Sequence, residues 1–219
     1  HYGLMMLKLG QADAMVVGAE DTFGDSIRAI MPYSELLPGV HRAAGLHVLM
    51  IEGQVYVLGD TTLNIEPTSQ QLADIAVLGA KLAKDLGLTP KVAMLSFSNF
   101  GDSDHPRARR VKEAVAILHR DHPHLAADGE MHGDVAVLPQ FAHAHFPHSR
   151  VQGDANVLIC PDLDSANIAL KLVGYIGANR DVIGPLIEGL KHPVNICSFN
   201  STVREIANLA AFSLYRAAK

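Results

Sequence analysis

Four short polar clusters hold the side chains best suited to chemistry, and each directly follows an apolar run. ADAMVVG (12–18) leads into AEDTFGDSIR, KVAMLS (91–96) into FSNFGDSD, NVLIC (156–160) into PDLDSAN, and PVNIC (193–197) into SFNSTVRE. Ser96, Ser98 and Asn99 offer two hydroxyls and an amide just before Gly101. Such groups can surround a ligand, or can satisfy the backbone of their own turn. Arg28 stands shortly after Gly-Asp-Ser. Its planar donor fork suits a phosphate or a carboxylate, and equally a surface salt bridge. Thr202 and Glu205 form T-x-x-E, the signature of a capping box that fixes a helix start. A general-base role for Glu205 would require its carboxylate to turn into a cleft instead.

Other chemistry has weaker support. The 12 histidines include two local groups, His119, His122, His124 and His143, His145, His148. Pro123, Phe146 and Pro147 break up these stretches, so irregular surface segments are expected rather than converging metal ligands with a second shell. DGEMHGDVAV brings Asp128, Glu130 and Asp134 close in sequence, a pattern open to acid–base work but more often a solvated turn. Cys160 and Cys197 each end an apolar run and read as buried thiols. Neither Cys-x-x-Cys nor a Walker A or G-x-G-x-x-G pattern occurs. Any phosphate-bearing ligand would therefore rely on helix N-termini, hydroxyls and arginines.

The segments around these clusters alternate between strand and helix. Residues 2–10 read as the end of a helix closed by Gly10, and 24–31 as a helix stopped by Pro32. LHVLMIEG (46–53) and QVYVLGD (54–60) read as paired strands about a turn at Glu52-Gly53-Gln54. Thr68 and Gln71 give a T-x-x-Q capping box for a helix running to Gly87. A strand is expected over 91–98, a helix over 109–122, a strand over 134–139, and a helix over 164–177 capped near Asp164 or Ser165. Continuous apolar strands alternating with helices predict a three-layer α/β fold with a mainly parallel sheet and an antiparallel edge. The loop 33–45, with Pro and Gly, is the candidate linker between two lobes.

The totals bound the function. Lys and Arg number 18 against 23 Asp and Glu, a net charge of −5, which argues against nucleic-acid binding. The basic run RARRVK (107–112) fits a solvated helix face or a phosphate contact better. The chain is 48% hydrophobic, yet no apolar run reaches the ~18 residues of a spanning helix and no signal peptide is evident. A cytoplasmic protein without membrane contact is expected. The first residues already read as helix interior, as in a fragment of a longer protein.

Taken in order, QADAMVVGAEDTFGDSIR, NIEPTSQQLADIAVLGAKLAKDLGL, KVAMLSFSNFG, DGEMHGDVAV, NVLICPDLDSANIALKLV and IGPLIEGLKHPVNICSFNSTVREIANL resemble the phosphate acetyltransferase/butyryltransferase family over nearly the whole chain. The resemblance implies two α/β lobes with a cleft between them and a homodimer or higher homo-oligomer. It also implies a first lobe incomplete in this chain: a remainder at 1–40, a second lobe at 46–196, and a returning loop and helix at 197–219.

Within the family, LSFSNFGDSD and NSTVREIANLA are most similar to the C-terminal phosphotransacetylase-like domain of hybrid NADP-dependent malic enzymes. That resemblance implies an N-terminal malic enzyme domain in the same chain, using NADP and a divalent Mg or Mn. It implies acetyl-CoA as an effector here, with no cofactor or metal in this domain. Ligand contacts are expected at Thr22, Arg28, Ser96, Ser98, Asn99, Ser198, Asn200 and Arg204. The family pattern has a Ser-Arg pair where this chain has Ser198-Phe199, an Asp where it has Glu205, and a second hydroxyl where Thr22 is followed by Phe23. Catalysis is therefore not expected from Phe23, Ser198, Phe199 and Glu205. The alternatives are an active phosphate acyltransferase, with the two phenylalanines shaping a larger acyl pocket, and a purely structural scaffold.

Overall fold

A computed structural model describes residues 1–18, 20–176, 180–199 and 201–218. In chain order the elements are α1 (Tyr2–Lys8), β1 (Met15–Gly18), α2 (Phe23–Ile30), β2 (Ala44–Ile51), β3 (Gln54–Gly59), α3 (Ser69–Asp85), β4 (Lys91–Leu95) and α4 (Pro106–Asp121). They continue with β5 (Ala126–Met131), α5 (Gly133–Val137), α6 (Pro139–His145), β6 (Val157–Ile159), α7 (Leu163–Ile176), β7 (Arg180–Glu188), β8 (Val194–Cys197) and α8 (Val203–Ala217). The chain forms two compact units, one of residues 1–45 with 183–219 and one of 46–182. The units part inside β7, and β8 pairs in parallel with β1 within the first unit.

The second unit is a doubly wound sheet in the order β5-β4-β6-β3-β2-β7, β7 being the strand on which the chain leaves the unit. β2 and β3 form the antiparallel hairpin, and β3–β6, β6–β4 and β4–β5 are parallel. Register puts Leu58, Leu158 and Ala93 side by side on one face and Val57, Val157 and Val92 on the other. α5, α6 and α7 cover the first face through Val135, Ala136, Ala142, Ala166 and Leu170. α3 lies on the second and packs against α4. The approach is close there: a Cβ on Gly79 would come within 2.8 Å of Val157 Cγ1.

Helices on both faces follow from the direction of travel. The chain moves outward from β3 to β4 to β5 over one face. It then returns to β6 and leaves through α7 over the other, as right-handed crossovers require.

Local signals account for the helix starts. Thr68 and Gln71 form the expected reciprocal capping box of α3. α4 begins with Pro106, whose missing N–H costs nothing at that position. α7 is capped by Asp162, whose Oδ1 accepts from Ser165 N at 2.9 Å; Asp164 and Ser165 lie inside the helix.

Two expectations need correction. Residues 134–139 are not a strand: Gly133–Val137 is the short helix α5, and the strand is the more polar AADGEM (126–131) before it. The expected strand over 91–98 ends at Leu95.

In the first unit β1 and β8 form a two-stranded parallel sheet, with Gly18 opposite Cys197. Gly18 is irreplaceable on two counts: its φ is +114°, and a Cβ would fall 2.1 Å from Cys197 O. α8 is held by buried polar contacts. Asn195 Nδ2 donates to Ser213 Oγ at 2.8 Å, Asn195 Oδ1 accepts from Ile187 N at 2.9 Å, and Arg216 pairs with the buried Glu188. The candidate linker belongs to this unit, where Leu36 bridges Leu190 and Leu37 N donates to Gly189 O at 2.9 Å.

Candidate functional site

In an open, doubly wound sheet the natural ligand crevice lies beyond the strand ends where the winding reverses. Here that point is between β4 and β6, since the chain leaves β4 toward β5 and leaves β6 toward β3 and β2. A cavity of about 380 Å³ opens there, lined by Leu95, Ser96 and Phe97 after β4, Cys160, Pro161 and Asp162 after β6, Ser165 and Ala169 of α7, and Arg107 of α4. That volume falls within the usual range of small-molecule pockets.

Charge at the crevice comes from α4. The Arg107 guanidinium lies 3.6 Å from the Asp162 carboxylate, and the arginine side chain is 62% exposed, so it remains open to an anion. Arg110, one turn on, donates to Pro161 O at 3.1 Å and reaches Glu66 at 3.4 Å. Asp162 is itself pulled below the usual carboxylate range; its own burial opposes the shift, and Ser165 hydrogen bonds, then Arg107 and Arg110, overcome it. Burial pushes the Cys160 thiol up to about 12, with Asp162 adding to the effect, so this cysteine is a wall rather than a nucleophile. Phe97 is 59% exposed and meets the His105 ring edge-on.

The loop after β4 has an internal scaffold. Ser98 is fully buried. Its hydroxyl lies 2.7 Å from Asp102 Oδ1 and 3.0 Å from Glu130 Oε1, and accepts from Ser103 N at 3.2 Å. Hydrogen bonds from Ser98 and Asn99 hold Asp102 below its ordinary range. Asn99 accepts from His132 N at 2.8 Å, and the His132 ring meets Phe97 O at 2.8 Å. Of the three residues in this loop expected to touch a ligand, Ser96 lines the crevice, while Ser98 and Asn99 hold the loop in place.

The expected solvated turn at Asp128 and Glu130 is a buried strand instead, with the two residues 7% and 1% exposed. Asp128 accepts from Gly129 N at 3.0 Å and Arg150 N at 2.7 Å. Glu130 Oε1 accepts from Gly101 N at 2.6 Å. Asp134 sits in the first turn of α5.

The other candidates follow the carboxyl ends of the paired strands β1 and β8, where α2 and α8 begin. Thr22 caps α2, its Oγ accepting from Asp25 N at 3.1 Å; Phe23 is the first residue of that helix. Arg28 is largely exposed and ion-paired with Asp25. Ser198 N donates to Ser201 Oγ at 2.9 Å, Phe199 is 76% exposed, and Arg204 lies exposed in the first turn of α8. Glu205 completes the capping box: its carboxylate accepts from Thr202 N at 2.6 Å, and its N–H donates to Thr202 Oγ at 3.2 Å. Asn200 lies outside the described residues.

Cys160 and Cys197 are free and buried. Among the described residues no histidine, cysteine or carboxylate group converges as a metal site, and no helix is long and apolar enough to cross a membrane. Sequence reasoning missed Arg107, Asp162 and Ser165 as one site. Their signals were the RARRVK run and the PDLDSAN cluster, joined only by the β4–β6 pairing.

Comparison with known proteins agrees with this architecture. Residues 1–214 match the family described as phosphate acetyl/butaryl transferase. The chain is 39% identical to an NADP-dependent malic enzyme of Rhizobium meliloti, over 99% of its own length and 28% of that protein's. It is 34% identical to a phosphate acetyltransferase of Staphylococcus epidermidis, over 99% of its own length and 67% of that protein's. Among solved structures it resembles a phosphotransacetylase from Streptococcus pyogenes, with TM-score 0.94 and 39% identity, covering 99% of this chain and 66% of that one. For the EutD phosphotransacetylase from Staphylococcus aureus the TM-score is 0.90 and the identity 36%, with the same coverage. The chain thus spans about two thirds of these transferases and little more than a quarter of the malic enzyme. It belongs to the phosphate acetyl/butaryl transferase family.

Proposed function

We propose that this chain is an acetyl-CoA-binding regulatory module that no longer transfers acetyl groups to phosphate. It acts on an NADP-dependent malic enzyme domain, N-terminal in the same polypeptide, that oxidatively decarboxylates malate to pyruvate with NADP and Mg or Mn. The observation that carries the reading is Phe199, exposed at the end of the β1–β8 pair where the family pattern has an arginine. Phosphorolysis of a thioester needs cationic donors for the phosphate and for the tetrahedral oxyanion, and losing one such donor typically costs about 10²–10³ in rate. Phe23 stands for a hydroxyl at the neighbouring helix start, Arg28 is engaged by Asp25, and Glu205 by its capping box.

Binding is a separate matter. The β4–β6 crevice offers Arg107 to a phosphate, Ser96 and Ser165 as hydroxyl partners and Phe97 to a flat ring, groups that acetyl-CoA carries. The malic enzyme relative supports the fusion. A cytoplasmic dimer or higher oligomer is part of the same reading. An effector transmits nothing unless it binds two states of the protein unequally. Acetyl-CoA is therefore expected to change malate oxidation by the full-length protein without being consumed.

The transferase relatives favour a second reading, an active phosphate acyltransferase. Steady-state malate oxidation with and without acetyl-CoA, alongside thioester absorbance in phosphate, separates the two. Unchanged malate oxidation at saturating acetyl-CoA defeats the regulatory reading, and phosphate-dependent loss of the thioester establishes the second.

A further inference from the structure

Glu130 is an unexpected residue for the end of a buried strand. It is 1% exposed, its Oε2 has no hydrogen-bond partner, and its Oε1 accepts from Gly101 N at 2.6 Å and lies 3.0 Å from the Ser98 hydroxyl. Its backbone carbonyl accepts from Phe100 N at 2.8 Å. The loop that supplies Ser96 and Phe97 to the crevice is thus held by Glu130 through both its side chain and its backbone, alongside Met131 O and His132. A buried carboxylate invites an acid–base role, but it does not line the crevice, and one of its oxygens holds every side-chain contact.

We infer that Glu130 is a positioning residue that holds the Ser96–Ser103 loop at the ligand crevice through the reach of one acceptor oxygen rather than through its charge. A side chain of the same length with a single carbonyl oxygen should then serve, and a shorter carboxylate should not. One methylene less withdraws the acceptor from the Gly101 N–H and from the fully buried Ser98 hydroxyl, so the loop loses its side-chain tether. The ligand part of this inference rests on the proposed acetyl-CoA binding; the loop part does not.

The test compares Glu130→Gln, which keeps length and removes charge, with Glu130→Asp, which keeps charge and removes length. Two measurements are made on the chain: amide hydrogen exchange over 96–103, and calorimetric titration with acetyl-CoA. The expected result is exchange in that segment within about threefold of the parent for Glu130→Gln and about tenfold or more faster for Glu130→Asp, with the α3 and α4 amides unchanged in both. The acetyl-CoA Kd should follow the same order, within about threefold for Gln and weakened about tenfold for Asp. Glu130→Asp matching or exceeding Glu130→Gln in loop protection would overturn the inference, as would a Gln variant that loses protection to the same extent. If the parent chain takes up no acetyl-CoA, the functional proposal fails by itself. The order of loop protection in the two variants then still decides the role of Glu130.

Discussion

Replacing Arg107 with alanine should separate binding from stability. The arginine side chain is 62% exposed, and the Asp162 carboxylate stands 3.6 Å from its guanidinium. With the arginine end of the pair largely in water, it is worth about 0–1 kcal/mol, so the urea midpoint should hardly move. A charge-assisted contact to a bound phosphate is worth about 1.5–3 kcal/mol, and the lower end applies to a donor this open to water. About 1.4 kcal/mol is a factor of ten, so acetyl-CoA affinity should fall about tenfold. Arg107→Lys should lie between, since an ammonium keeps the charge and loses the fork. The assay is calorimetric titration at low ionic strength, with urea unfolding of each variant in parallel. Unchanged affinity in a stably folded Arg107→Ala chain would refute the placement of the anion subsite at this crevice. A large loss of stability would refute the view that Arg107 is free of structural duty.

Other consequences are independent of that one. Gly79→Ala presses a methyl against Val157 at the α3–sheet contact and should destabilise by about 1–3 kcal/mol in urea unfolding. Burial, aided by Lys171, lowers His47 to about 3, whereas the unfolded chain titrates near 6.5. The unfolded state thus binds the proton first, and stability is lost as pH falls below 6.5, by up to about 1.5 kcal/mol between pH 6.5 and 5. His47→Asn should flatten that slope, and an equal slope in both proteins would exclude His47 as its source. Cys160, with its thiol near 12, should resist a disulfide reagent at pH 8 in the folded chain and react in urea. Thr202→Ala removes one arm of the α8 capping box and should cost about 1 kcal/mol, with helix fraying read by amide exchange over 203–206.

What the sequence discloses is what local rules govern. Both capping boxes, Thr68–Gln71 and Thr202–Glu205, form as their spacing requires, because each is complete within four residues. The parallel sheet follows from apolar runs between helices. The misreading at 126–139 has a non-local cause. AADGEM lacks an apolar alternation, and its carboxylates are accommodated by Arg150 N, Gly101 N and the Ser98 hydroxyl, all distant in sequence. VAV in 135–137 mimics a strand, yet it lies beyond the edge strand's end and turns as α5 under the core residue Ala93. The crevice was hidden for the same reason. Ser96 is visible as a polar residue after a strand, but Arg107, Asp162 and Ser165 join it only because β4 and β6 are neighbours, a pairing across 60-odd intervening residues. Ser98 and Asn99 read as ligand donors because their types are right; only the fold reveals Glu130, Asp102 and His132 as their partners.

Titration calorimetry with acetyl-CoA in phosphate buffer distinguishes retained binding from turnover in one experiment. A binding module that does not turn over gives a saturable heat with a flat baseline after each injection and full recovery of the thioester. A steady heat flow that ends only when acetyl-CoA is exhausted would contradict that reading, and the SFNST loop would then be a working catalytic loop despite Phe199.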